Sequence, residues 1–384
     1  MTAPAQLDDA AWLSHGEVAR LLAALNRESE EARVVGGAVR NALLRLPVTE
    51  IDVATTALPE EVVRRAQSSG WKAVPTGVAH GTITVVIDGR PFEVTTLRQD
   101  VETFGRRAKV VFGRDWRADA QRRDFTINAL SVSADGKVFD YVGGLDDIVA
   151  RRVRFIGDPR QRIAEDYLRI LRFFRFHANF AEGAPDAAGL HACIAVRAGL
   201  DSLSRERVRM ELLKLFVALR ASPTIAVMAE SGLLGPVLGG VPYLASFAKM
   251  TEIDAVLGLG ADALRRLGAL GVMVREDAER LSQRLRLTNA EAERLVALEG
   301  WWRISPSAGA QRARAWLYRF GPRSFADSVL LAWSHAQAGT GDSSWRDLAD
   351  LPRRWTPPAF PLKSADFTRR GVPLGPALGA ALRA

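Results

Sequence analysis

The period of the apolar pattern changes once along this chain, near residue 150, and that change restricts the fold more than any other feature. From Arg33 to about Tyr141, short β-branched runs alternate with helical ones; beyond Asp158 the pattern is helical almost throughout. An α+β chain is expected, with a small mixed sheet flanked by helices first and all-helical segments after it. At about 150 residues per domain, 384 residues make two or three domains. With 48% hydrophobic and 25% charged residues the chain can bury cores and is not a disordered one.

In the first segment the pattern predicts a strand at Arg33–Val35, a helix at Ala38–Arg45 and a strand at Ile51–Ala54. A helix starts with Pro59 in its first turn and runs to about Ser68. Alternating strands at Thr82–Ile87 and Phe92–Leu97 meet around Asp88-Gly89, a hairpin signal. A helix is expected over Ala118–Leu130 and a second hairpin over Ser131–Tyr141. Long helices follow at Arg162–Asn179 and Ser204–Leu219, the latter with Val208, Leu212, Leu215 and Phe216 on one face. The uncharged stretch Ser231–Ala248 is broken by Pro236, Pro242 and four glycines, so it reads as a loop between helices and not as a membrane span. Beyond about Pro352, Pro, Gly and Ala promise less regular structure.

Lys+Arg 52 against Asp+Glu 44 leaves a net charge of +8, which makes a polyanion such as nucleic acid a serious partner. The single cysteine, Cys193, excludes an internal disulfide framework and a thiolate zinc cluster and fits a reducing compartment. Met1–Asp9 carries acidic residues and no basic stretch before an apolar one, so no secretory signal is read and a cytoplasmic location is expected. His15, His80, His177, His191 and His335 show neither HExxH nor HD spacing, which argues against zinc or phosphohydrolase chemistry.

One constellation carries chemistry. Gly36-Gly37-Ala38-Val39-Arg40 lies between a predicted strand and helix, and Glu50-Ile51-Asp52 opens the next strand. Two glycines at a helix start let the backbone approach a phosphate chain, which free amides and the helix dipole stabilise; Arg40 can reach the same phosphates. On a strand Glu50 and Asp52 would share a face, and two adjacent carboxylates repel unless a cation lies between them, for which Mg²⁺ is suited. Either half alone is as readily a glycine turn or a solvated acidic pair.

The two halves together resemble the nucleotidyltransferase superfamily, in particular the bacterial class II CCA-adding enzymes and poly(A) polymerases. Arg122-Arg123-Asp124-Phe125-Thr126-Ile127-Asn128-Ala129-Leu130 looks like their ribose-binding motif, and Glu165-Asp166-Tyr167-Leu168-Arg169 like their base-reading motif. Gly157-Asp158-Pro159, Arg172 and Arg175, and the run Phe92–Arg98 also fit. The likeness runs from about Val34 to Leu219 and thins afterwards. It implies a polymerase-β-like nucleotidyltransferase head over 1–150, a helical neck over 151–222 and a tRNA-binding helical body and tail over 223–384. It further implies Mg²⁺-dependent, template-independent addition or repair of the 3′-terminal CCA of tRNA from CTP and ATP, with Glu50 and Asp52 as catalytic metal ligands. Gly36, Gly37, Arg40, Arg123, Asp124, Asn128, Glu165, Asp166, Arg169, Arg172 and Arg175 would bind the nucleotide. No membrane partner is implied, and the pattern assigns no oligomeric state.

The base-reading motif has a physical logic. On a helix Asp166 and Arg169 would share a face, one accepting and one donating. That pair complements cytosine and adenine, which offer an exocyclic amine beside a ring-nitrogen acceptor, and opposes uracil and guanine, by roughly 10⁴-fold where buried polar groups are left unpaired. By resemblance Glu165 holds Arg169 in place, and Arg172 and Arg175 continue a basic stripe toward the phosphates. Asp124 would accept from a ribose hydroxyl while Arg123 faces phosphate, with Asn128 on the same helical side.

The Arg-rich segment Arg98–Arg117, with Asp100, Gly105, Arg106 and Arg107, matches the family's flexible loop, whose presence favours full CCA or A addition over CC addition; it is otherwise a plain surface loop. Glu93 is a further carboxylate that could approach the metal. Between Gly300 and Ala326, five arginines mix with Trp301, Trp302, Trp316, Tyr318 and Phe320 and no acid, which suits either an RNA surface or an amphipathic helix with core aromatics. Two positions depart from the family pattern: Asn41 stands where Asp commonly follows GGxVR, and Glu50 where the first metal Asp is expected. The alternatives are poly(A) or A-only addition by the same chemistry, and a non-catalytic RNA-binding relative disabled at Glu50.

Overall fold

The structure is a computed structural model that describes residues 6–7, 10–77, 81–104, 107–359 and 363–383. His80, Asp8 and Asp9, the Gly105-Arg106 pair and the side chains of Asp100 and Arg107 lie outside the described residues. The chain forms two compact units, Met1–Pro242 with Gln283–Leu287, and Tyr243–Ser282 with Thr288–Ala384.

The first unit is built on a seven-stranded sheet. Its strands are β1 (Ala32–Val35), β2 (Asp52–Thr55), β3 (Lys72–Gly77), β4 (Thr82–Ile87), β5 (Arg90–Thr96), β8 (Ser131–Val132) and β9 (Val138–Phe139), in the order β3-β4-β5-β2-β1-β8-β9. β2 and β5 are parallel, the chain between them running through the Pro59–Ser68 helix, β3 and β4, and the other pairs are antiparallel. Central β1 is buried along its whole length, whereas β4 alternates buried and half-buried residues as a strand with one wetter face should. Val34, Val53, Ile83, Val85 and Val94 fill the core behind the sheet.

β3 was not expected, because Pro75 and Gly77 interrupt its apolar pattern; it lies at the sheet edge, where a missing donor is tolerated. The Arg98–Arg117 segment also differs from the loop expected there. Most of it is a two-stranded antiparallel ribbon, β6 (Arg98–Phe104) paired with β7 (Arg107–Phe112).

Two predicted helices are broken, each where a polar side chain competes with the helical ladder. The Ala118–Leu130 helix is instead a short helix, Trp116–Gln121, followed by one 3₁₀ turn at Thr126–Asn128. Between them Phe125 is extended and bridges Phe155 across the chain. The Arg162–Asn179 helix is two helices, Pro159–Glu165 and Leu168–Phe180, with Asp166 extended between them. Asp158 caps the first through the amide of Gln161, and the Asp166 carboxylate accepts the amide of Leu168 at the start of the second. That second helix buries Ile170, Leu171, Phe173, Phe174 and Phe176. Phe125, Phe155 and Phe173 pack ring against ring, at 4.9 Å and 5.3 Å between centroids, and so join the helix to the strand layer.

The second unit is helical. Leu244–Val256, Ala263–Gly271, Asn289–Val296 and Ala310–His335 surround Phe247, Met250, Leu267, Leu270, Leu295, Phe325 and Trp333. Buried Asp254 is held by Arg265 and Arg266, and Asp327 by Arg294, so these interior charges are paired. The last of those helices bends at Gly321-Pro322, where Gly321 has φ +75° and proline offers no amide. Of the uncharged stretch expected to be a loop, Leu234–Leu238 is helical and Leu244 begins a long helix. Among the described residues no helix is long and apolar enough to cross a membrane.

Candidate active site

Three strands deliver the acidic corner. β1 ends at Val35, which is in register with Asp52, the first residue of β2, and Asp52 is in register with Glu93 of β5. In-register residues on paired strands share a face, so Asp52 and Glu93 stand side by side. Partial desolvation, Glu93 and Glu50 push the Asp52 carboxyl up from its ordinary value, against an opposing pull from Arg123. Glu50 is not on the strand as the spacing suggested. The β1–β2 ladder stops at Asp52 because Gly36 turns the chain away, and Glu50 lies exposed in the segment before the strand.

Gly36 has φ +70°, a backbone conformation that strains any residue with a side chain, and a Cβ there would come 3.3 Å from Arg123 Nη1, which would have to yield slightly. The Gly37–Leu43 helix follows, and carries Arg40. Burial, reinforced by Arg175, draws the Arg40 pKa down to about 10. Its guanidinium stacks 3.9 Å over Phe180 and donates to Asn128 Oδ1 at 2.5 Å and to Asn41 Oδ1 at 2.9 Å. Asn41 in turn donates to the Pro47 carbonyl at 3.0 Å, so the amide at this position ties Arg40 to the segment that leads to Glu50.

The ribose-motif residues meet Arg40 through Asn128, whose amide nitrogen donates to Asp124 at 3.2 Å. Asp124 and Asn128 are brought together by the broken 3₁₀ turn and not by a continuous helix. Asp124 is buried. Burial raises its pKa, but the Arg172 guanidinium, which donates at 2.8 Å and 2.6 Å, together with Asn128 and the Phe125 amide, carries it below the usual carboxylate range. Arg123 is held by Asp119 at 3.2 Å and points Nη1 at the Asn128 carbonyl, 3.4 Å away.

Arg172 and Arg175 therefore differ from the open stripe expected of them. Arg172 is bound to Asp124, and Arg175 pairs with Glu211 at 2.5 Å. The base-reading residues are paired too, but not with each other. Arg169 is ion-paired to Glu165, which also binds Arg162 at 3.0 Å, whereas Asp166 is gripped by Arg207 at 2.6 Å and 3.2 Å. A Cβ on Gly199 would lie 2.0 Å from the Tyr167 ring, so that glycine lets Tyr167 pack beside Asp166.

Arg207 and Glu211 were not singled out from the sequence. Both stand on the Arg205–Phe216 helix, and Glu211 is buried on the same apolar face as Val208, Leu212 and Leu215. A glutamate at a core-facing position was the available signal. His177 is buried and His335 half-buried, and the pKa of each is lowered to about 4, first by desolvation and then by Arg220 or Lys249. Among the described residues no group of three His, Cys, Asp or Glu side chains is gathered as a ready metal cage.

Residues 32–154 match the family model described as the poly A polymerase head domain, and residues 189–247 match the one described as the probable RNA and SrmB-binding site of polymerase A. The human mitochondrial CCA tRNA nucleotidyltransferase 1 is 38% identical over 269 residues, which is 69% of this chain and 61% of that protein. The CCA-adding enzyme of Limosilactobacillus fermentum is 31% identical over 94% of this chain and 89% of its own length. Among solved structures, the CCA-adding enzyme of Bacillus stearothermophilus in complex with CTP superposes with a TM-score of 0.75 at 28% identity, over 96% of this chain and 90% of the other.

Proposed function

We propose, because this chain belongs to the CCA-adding tRNA nucleotidyltransferases of the poly(A) polymerase family, that it builds or repairs the 3′-terminal CCA of tRNA from CTP and ATP, releasing pyrophosphate. The observation that carries this reading is the corner at Gly36, Asp52 and Glu93, where a glycine turn before a helix faces two carboxylates with no arginine bound to either among the described residues. Members of this family use a divalent metal, and here we infer Mg²⁺. The raised Asp52 carboxyl, crowded by Glu93 and Glu50, fits a group whose charge is completed by a cation, and Glu50 and Asp52 would hold it. When bound, the metal supplies electrostatic stabilisation to the transferring phosphoryl group. Gly36 and Gly37 admit the triphosphate to the helix start, and Arg40 and Arg123 lend it positive charge. Asp124, held by Arg172, Asn128 and the Phe125 amide, would take a ribose hydroxyl in exchange for one of these hydrogen bonds, while Asp166 and Arg169 select the base.

In the same proposal residues 1–150 act as the catalytic head, 151–222 as the neck, and 223–384 as the surface that holds tRNA, in a cytoplasmic enzyme. Exposed Trp302, Tyr318 and Phe320 with Arg312, Arg319 and Arg323 supply stacking and phosphate contacts there, while Trp301, Leu317 and Phe325 belong to the core. The test is incorporation with Mg²⁺ on tRNA transcripts ending at the discriminator base, after C, and after CC. Three additions to the shortest transcript support the proposal. Addition only after CC would make the protein an A-adding enzyme, a long A ladder a poly(A) polymerase, and tight tRNA binding without incorporation a non-catalytic relative.

A further inference from the structure

Base choice needs more than an acceptor and a donor; it needs each of them to point one way. A free carboxylate rotates and offers about four lone-pair directions. Asp166 is not free in that sense. Arg207 donates to both of its oxygens, Nη2 to Oδ2 at 2.6 Å and Nη1 to Oδ1 at 3.2 Å, and the Leu168 amide adds a second donor to Oδ1 at 3.2 Å. Oδ1 is thereby saturated, and the acceptor capacity that remains is concentrated on Oδ2. Arg169 is treated the same way from the other side. Its Nη1 is committed to Glu165 and to the Arg162 carbonyl, which leaves Nε and Nη2 as its donors.

The two reading groups thus rest on separate supports. Glu165 belongs to the same short motif as Arg169, but Arg207 comes from a helix some forty positions away in sequence, and its side chain is mostly buried against Asp166. Four residues further along that helix, Glu211 holds Arg175 and approaches Arg172, the partner of Asp124. The Arg205–Phe216 helix therefore backs both the base-reading and the ribose-reading carboxylate without itself carrying a sequence motif recognised above.

We propose that Arg207 is a specificity-determining positioning residue: it clamps the Asp166 carboxylate in a single orientation, so that the site accepts an amine and rejects a carbonyl at the same place on the base. This rests on the reading that Asp166 selects the nucleotide. Without the clamp, Asp166 can turn, and the site loses the fixed acceptor that favours the amine of cytosine and adenine over the carbonyl that uracil and guanine present at the same place.

The experiment measures two quantities on the wild type and on Arg207→Ala, Arg207→Gln and Arg207→Lys: equilibrium binding of CTP and UTP to the protein without RNA, and incorporation of all four nucleotides into tRNA transcripts. In Arg207→Ala the CTP-to-UTP preference is expected to fall at least tenfold, mainly through weaker CTP binding and a higher KM, with kcat changed less. Lysine, with its charge but a single-point grip, should restore part of the preference and glutamine less. A purely structural role would lower use of all four nucleotides together and leave their ratio unchanged; a ratio held within twofold in folded Arg207→Ala or Arg207→Gln protein, as judged by thermal melting, overturns the proposal. A wild type that prefers CTP over UTP in binding yet adds nothing to tRNA would defeat the CCA-adding reading alone. No preference in wild-type binding would defeat the clamp.

Discussion

The corner at Asp52 and the cluster behind it at Asp124 are both made of carboxylates and arginines, but their charges are settled in opposite ways. Asp52 sits in register with Glu93 and its carboxyl is pushed up by desolvation and like charge. Asp124 is buried, takes two hydrogen bonds from Arg172, and is held below its usual range. An acidic pair left to repel itself is a place where the protein leaves charge to be supplied from outside; a buried carboxylate saturated by its own arginine is a part whose position is fixed before any ligand arrives.

The sharpest way to break this contrast is to neutralise each carboxylate's role in turn. Asp52→Asn should reduce nucleotide incorporation by about 10³-fold or more while leaving the melting temperature unchanged or slightly raised, because a repulsion with Glu93 is removed. A clear loss of thermal stability in that variant would mean that Asp52 is paired as Asp124 is. Arg172→Ala should do the reverse of sparing the fold: it leaves Asp124 buried without its cation, at a cost of about 3–5 kcal/mol, readable by denaturant or thermal unfolding.

The same pair sets a pH dependence whose sign follows from the lowered Asp124 value. A carboxyl depressed in the folded state contributes stability that is fully present above the unfolded value near 3.9 and is lost as pH falls through the folded one. Wild-type stability should therefore drop in that acid window, and Arg172→Ala should lose less there than the wild type does. Equal acid sensitivity of the two proteins in unfolding titrations would show that the ion pair does not set the Asp124 ionisation.

A smaller effect is expected at Glu50. It stands exposed ahead of β2, so its longer side chain has room to reach toward Asp52. Glu50→Asp should leave incorporation equal or higher, within about tenfold of the wild type, because an aspartate restores the usual carboxylate without disturbing a packed neighbour. A severe loss in steady-state turnover would show that the extra methylene is required by the loop geometry.

How far the sequence reached is itself explained by this contrast. The change of period near residue 150, the Gly36-Gly37 turn and the strand at Asp52 were legible because each depends on local pattern and backbone preference. The breaks at Asp124–Phe125 and at Asp166 were not, because both regions carry a helix-compatible apolar spacing that tertiary partners override: Phe155 draws Phe125 into a bridge, and Arg207 and the Leu168 amide claim the Asp166 carboxylate. For the same reason the arginines at 172 and 175 read as an open basic stripe. Periodicity places side chains on a face, but it does not say which distant acid that face meets.

The second unit repeats the distinction and offers its mildest test. Its interior arginines, Arg265, Arg266 and Arg294, are spent on Asp254 and Asp327, whereas Arg312, Arg319 and Arg323 on the long bent helix are exposed and have no ion-pair partner among the described residues. Unpaired exposed arginines interspersed with exposed Tyr318 and Phe320 suit a phosphate backbone with bases able to stack. Replacing Arg312 and Arg319 together by alanine should leave folding intact, weaken tRNA binding, and reduce the slope of log affinity against log salt by about 1 for each arginine that contacts phosphate. An unchanged slope would place the RNA elsewhere on the protein; an unchanged slope with a lower melting temperature would show these arginines to be settled internally after all, as the ones at 172 and 175 are.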